Sequence, residues 1–136
     1  MIIKSFEIDK IKKTQTKFFL LYGDNQGFKN EIISLLKLNK GINADVYYEA
    51  EILKDISNFT NTILSKSFFD SEKFIIIKKS TDKIILCIEF LLEKKIDRTT
   101  LILEADILEK KSKLRTLFEK NVDLISIPFY PDNYQT

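Results

Sequence analysis

Histidine is absent from all 136 residues, cysteine occurs once, at Cys87, and arginine only twice, at Arg98 and Arg115. Without histidine the commonest general base is missing, and a lone cysteine cannot build a zinc site. A single thiol cannot close an internal disulfide either. Cys87 lies inside an apolar run and reads as a buried structural thiol in a reducing compartment. No apolar stretch approaches the ~18 residues needed to span a bilayer, and the amino-terminal residues lack the apolar core of a signal peptide. The expected location is therefore cytoplasmic, with no membrane partner. An excess of one charge is also lacking. Twenty-two basic residues stand against twenty acidic ones, and a net charge of +2 is no argument for nucleic acid by itself. A hydrophobic content of 44% with 31% charged residues describes a soluble globular chain, long enough for one domain with a real core and too short for two.

What is present centres on residues 18–37. The run Phe18-Phe19-Leu20-Leu21-Tyr22 is continuously apolar, Gly23 punctuates it, a polar turn follows, and a helix with an apolar stripe comes next. Uninterrupted apolar runs of this length suit a strand buried on both faces of a parallel sheet. Strand, glycine turn and helix is also the layout of a phosphate-binding loop. Set against G-x-x-x-x-G-K-[ST] from Gly23, the chain keeps the first glycine and the lysine, Lys29. Phe28 stands where a glycine lets backbone N–H groups close around phosphate, and Asn30 where a hydroxyl holds magnesium. Gly27 falls one residue early. The turn reads as P-loop-shaped but without its ligand; an ordinary strand-to-helix turn with no nucleotide ancestry is the alternative.

Along the chain, a brief strand at Ile2-Ile3 and a short helix ending before Thr14 are expected first. Strands follow at 17–22, Ala44–Tyr48, Lys73–Lys78, Thr99–Leu103 and Val122–Ile127. Helices are expected at Phe28–Leu38, through the stretches carrying Ile52 to Ile56 and Phe59 to Leu64, at Asp82–Lys94 with Thr81 or Asp82 as N-cap, and at Lys110–Lys120. The tail from Pro128 is too short to fold. Five strands alternating with helices predict a three-layer α/β/α domain on a five-stranded parallel sheet, with neither repeat nor linker.

Three stretches stand out for function. Phe68-Phe69 is an aromatic pair between serines and Asp70, after a helix and before a strand. Adjacent helical residues cannot both face one core, so one of them either projects as a binding anchor or covers a neighbouring loop. Glu104 and Asp106 end the fourth strand at the carboxyl edge where α/β domains bind ligands, and read as a polar cap in the absence of a working phosphate loop. Lys110, Lys111, Lys113 and Arg115 form the most basic cluster, a possible DNA contact and more commonly a solvated helix face.

Together these stretches resemble one family. Tyr22-Gly23-Asp24-Asn25-Gln26-Gly27-Phe28 followed by Glu31, Ser67-Phe68-Phe69 before Asp70-Ser71-Glu72-Lys73, Leu103-Glu104-Ala105-Asp106 with Leu108 and Lys111-Ser112-Lys113-Leu114-Arg115, and Phe129-Tyr130-Pro131-Asp132 occur in the right order. The chain is similar to the N-terminal domain of the delta subunit of the bacterial DNA polymerase III clamp loader. The resemblance implies a RecA-type, AAA+-like domain with a degenerate nucleotide site, no cofactor and no ATPase activity. It implies that Phe68 and Phe69, flanked by Ser67 and Asp70, wedge into the ring-shaped sliding clamp and help open it. Phe68 replaces a more usual leucine. The other loader subunits would be partners of a full-length protein and DNA an indirect one, while the lid and collar domains of the family are not in this sequence. A nucleotide-binding protein using Lys29 and Asp106, and a DNA-binding domain using the 110–115 helix, are the competing readings. A response-regulator-like domain is disfavoured because the first strand ends at Gly23, not in an acidic cluster.

Overall fold

The computed structural model describes residues 1–4, 18–38, 43–68, 73–94, 96 and 98–129. In chain order these form β1 (Phe18–Gly23), α1 (Gln26–Leu38), β2 (Ala44–Tyr48), α2 (Glu49–Lys54), α3 (Ile56–Phe68), β3 (Lys73–Lys78), α4 (Ile85–Glu93), β4 (Thr99–Ala105), α5 (Lys113–Lys120) and β5 (Leu124–Phe129). The five strands make one sheet in the order β2-β3-β4-β1-β5. Every pairing is parallel. The expected three-layer α/β/α fold is the fold observed.

The apolar run of β1 has a direct cause in this order. The strand is hydrogen-bonded on both sides, to β4 and to β5, and all six of its residues are buried. Strands covered by helices on both faces have no water-facing side on which to alternate. The connection from β1 to β2 crosses β4 and β3 in one direction, and every later connection runs the opposite way. Right-handed crossovers then put α1 on one face and the other helices on the second. The two cores follow this division. Phe19, Leu21 and Ile102 pack with Ile32 and Ile33 of α1. On the opposite face Leu20, Ile77 and Leu103 pack with Ile63 of α3, Ile88 of α4 and Phe118 of α5.

Several boundaries differ from the sequence expectation. The helix after β1 begins at Gln26, not Phe28, because Asn25 caps it: the Phe28 N–H donates to Asn25 Oδ1 at 3.1 Å. The last helix begins at Lys113. Lys110 and Lys111 form a turn, and Ser112 caps the helix by accepting from the Arg115 N–H at 3.2 Å. The helix expected from Asp82 opens as a 3-10 turn, Asp82–Ile84, before α4. The last strand lies at Leu124–Phe129, two residues later than expected. Asn121 turns the chain first, with its side chain accepting from the Asp123 N–H at 2.8 Å, and Val122 is exposed. Pro128 and Phe129 therefore belong to the sheet. Near the amino terminus, Ile2 makes a single parallel bridge to Ser126. The helix expected before Thr14 and the tail from Tyr130 lie outside the described residues.

Two side-chain caps and the amino-terminal ammonium tie the sheet edge to the helices. Glu49, buried just after β2, accepts from the Thr81 N–H and hydroxyl, both at 2.8 Å. Asp82 crosses 32 residues to cap α5, accepting from the Leu114 N–H at 2.9 Å, from the Lys113 N–H at 3.1 Å and from the Ser112 hydroxyl at 2.8 Å. The Met1 ammonium closes the other end of α5, donating to the carbonyls of Phe118, Asn121 and Leu124.

The N–H groups of α5, Leu114 first, hold the Asp82 carboxyl below its ordinary pKa of 3.8. A depressed carboxylate contributes stability above its unfolded value, and that contribution disappears as pH falls through the folded value. Asp82→Ala is expected to cost about 1 kcal/mol near neutral pH, the usual value of a lost N-cap. The gap between wild type and variant should begin to narrow below about pH 4 and shrink further as pH falls through the lowered folded value, which urea titrations at pH 7 and pH 3 would measure.

Candidate functional site

The carboxyl edge of the sheet gathers the loop after β1, the start of α1, and the ends of β3 and β4. Here sequence pattern and structure meet at Lys29. Its residue is buried, and its ammonium donates to the Ala105 carbonyl at 2.8 Å. The lysine that a phosphate loop would aim at a nucleotide is thus turned onto the end of β4. Burial pushes its pKa below the ordinary 10.5, while Asp106, Glu104 and Asp24 oppose that shift.

Glu104, nearly fully buried, accepts from Gln26 Nε2 at 3.0 Å and faces the Lys78 ammonium at 3.9 Å. It does more than cap the strand: it links α1 to β4 and β3. The same Gln26 amide donates to Asn30 Oδ1 at 2.9 Å, so Asn30 lies on the outer surface of α1. Asp106 is exposed, opposite Lys79 at 3.8 Å. Lys79 adopts φ 58°, a left-handed conformation uncommon outside glycine, directly after β3. A cavity of about 120 Å³ lies among Gln26, Lys29, Lys78, Glu104 and Asp106. Sites for drug-sized ligands usually enclose about 300–1,000 Å³.

The two glycines of the loop have different roles. Gly23 has φ +120° and sits against the end of β5, where an added Cβ would lie 1.9 Å from the Phe129 carbonyl oxygen. Gly27 has open space around it, with only Asn25 Oδ1 near, at 3.9 Å. Phe28 packs edge-on against Phe129, ring centroids 5.4 Å apart at 77°. The strand–turn–helix shape is thus maintained by packing between the β1 and β5 ends and by the Asn25 cap.

The other sequence-selected residues lie elsewhere. Ser67 and Phe68 fall in the last turn of α3, which leads into the start of β3 at the amino edge of the sheet. Lys73 fastens that junction, its buried ammonium donating to the Ile63 carbonyl at 3.1 Å. Phe69 and Asp70 lie outside the described residues. β3, six residues long, spans about 20 Å between the amino edge, which α3 precedes in the chain, and the carboxyl edge with the Lys29 cluster.

In the basic cluster, Lys110, Lys111 and Lys113 are exposed, with Lys111 3.3 Å from Glu109. Arg115 is built into the fold. It pairs with Glu119 at 2.8 Å, donates to the Leu108 carbonyl at 2.9 Å and lies over the Tyr22 ring. Sequence reasoning did not foresee the capping roles of Glu49 and of Asp82 toward α5. Their partners lie 32 residues away, and no local pattern encodes such a pairing.

The fold and this edge define a class: a parallel α/β/α domain in which the lysine of the helix after β1 is bound to the end of its own sheet. No family model matches the chain, and no curated protein matches it. Among the described residues no helix is long and apolar enough to cross a membrane.

Proposed function

We propose that this chain is the clamp-binding domain of a clamp-loader delta subunit, a non-catalytic module of DNA replication acting in the cytoplasm. The observation that carries the reading is the pairing of a P-loop-shaped turn with a lysine committed to the Ala105 carbonyl. Such an arrangement fits an AAA+-like domain that has kept its shape and given up its nucleotide. The strand order, with β1 interior between β4 and β5, is compatible with this reading. Further support is that Phe68 ends α3, the helix that precedes the amino end of β3 in the chain. A partner could engage the amino edge without touching the carboxyl edge.

In this reading Phe68 and Phe69 enter an apolar pocket of the sliding clamp. Burying two such rings contributes about 1.5–3 kcal/mol each before ordering costs. A ring interface is opened by that energy only as far as the domain binds the open form better than the closed one. No bond chemistry is asked of the domain.

The test is calorimetric titration of the chain with the sliding clamp of the same organism, beside a Phe68→Ala, Phe69→Ala variant with unchanged circular dichroism. Micromolar binding by the wild type that weakens at least about 100-fold in the variant is expected, from the loss of both rings. A folded wild type that ignores the clamp would refute the reading. So would ATP-magnesium binding of comparable affinity in the same calorimeter.

A further inference from the structure

The helix α4 reads Ile85-Leu86-Cys87-Ile88-Glu89-Phe90-Leu91-Leu92-Glu93 and is apolar nearly all round. Helices of that composition are ordinarily covered on every side. Cys87, Ile88 and Leu91 are indeed buried against the sheet, yet Leu86 is 77% exposed and Phe90 38%. Lys83 and Glu93, both exposed, extend the same stripe at either end. Within α4, positions 86, 90 and 93 are spaced by four and three residues, the repeat that lines a helix-to-helix seam, and Lys83, in the 3-10 turn that opens the helix, lies three residues before Leu86. The Lys94 ammonium, 5.1 Å from the Phe90 ring, flanks the stripe. Neither Lys83 nor Glu93 has an ion-pair partner among the described residues.

This stripe is complementary to itself. With a two-fold axis at the level of Ile88, an antiparallel second copy places Leu86 against its Phe90 and Lys83 against its Glu93. The same two pairs then recur on the other side of the axis, as an isologous contact requires. Other exposed apolar residues, such as Val46, Ile107 and Val122, do not fall in a stripe ended by opposite charges. We propose that α4 is a self-association surface and that its partner is a second copy of this chain, packed antiparallel through Leu86 and Phe90 with Lys83–Glu93 pairs at both ends. One short helix pair covers less than the ~1,200–2,000 Å² of a standard interface, so the dimer is weak and concentration-dependent.

Sedimentation equilibrium from about 10 µM to 1 mM covers the affinities such a small interface allows. The wild type is expected to shift from monomer to dimer across that range. Lys83→Glu and Glu93→Lys, each setting like charges opposite one another twice, should each weaken the dimer about tenfold or more. The combined variant should return to within about twofold of wild type, because the pairs are restored with reversed sign. Leu86→Ser, at a solvent-facing position, should abolish the dimer with little change in melting temperature. A wild type that stays monomeric at 1 mM overturns the proposal. So does a dimer indifferent to both reversals, or a combined variant no better than the single ones.

Discussion

Gly23→Ala is expected to lower stability by about 3–4 kcal/mol or more, among the largest effects of any single substitution in this chain. Two causes act together. The backbone there has φ +120°, which L side chains rarely adopt, and the new Cβ would lie 1.9 Å from the Phe129 carbonyl oxygen. That oxygen is backbone in a paired strand and cannot swing aside as a side-chain tip could. Relief requires the ends of β1 and β5 to separate, where Gly23 is opposite Phe129 in the ladder. A fall in melting temperature of about 10 °C or more is expected for a domain of this size. Gly27→Ala should act with the opposite sign. The site is open, and replacing glycine by alanine near the start of a helix gains about 0.5–1 kcal/mol. If both substitutions were equally damaging, packing between β1 and β5 would not be the reason for the loop's glycine.

The second large effect is expected at Lys29. Lys29→Ala removes a buried four-carbon stem and leaves the Ala105 carbonyl without its donor. Cavity and unmet hydrogen bond together should cost about 2–4 kcal/mol. Lys29→Met keeps most of the stem and removes the buried ammonium, so it should cost much less and could match the wild type. Alkaline pH separates the two contributions. Burial lowers the Lys29 pKa from 10.5, so the folded protein releases this proton before the unfolded chain does. Between the folded value and 10.5 the unfolded state holds more protons, and stability contributed by this residue rises with pH. Wild type measured against Lys29→Met should therefore gain ground as pH approaches 10.5. A difference that is flat over that range would show that Lys29 is not desolvated in solution.

These two substitutions also bear on function. A lysine waiting for a nucleotide in open solvent would tolerate truncation with little loss of stability, whereas a lysine that closes the edge of its own sheet would not. The clamp-binding reading requires the second behaviour at this edge and leaves the amino edge, where α3 meets β3, for the partner.

Much of this architecture was legible from the residues alone. The apolar run without polar alternation, Phe18 to Tyr22, suits a strand covered on both faces, and five strand segments alternating with helices imply a parallel sheet. The mismatch to a phosphate-loop pattern was equally visible, since Phe28 and Asn30 stand where such a loop needs a glycine and a hydroxyl. The turn signals were harder to read. Ser112 and Asn121 decide where α5 begins and β5 starts through side-chain hydrogen bonds, and the apolar pattern does not register them. Only the tertiary structure decided what Gly23, Lys29 and Asp82 do. Gly23 is required by a strand 106 positions later and Lys29 by a carbonyl 76 positions away. Asp82 caps a helix 32 positions downstream. Each of these contacts joins segments that the sheet order makes neighbours, and a one-dimensional pattern carries periodicity but no record of which strand lies beside which.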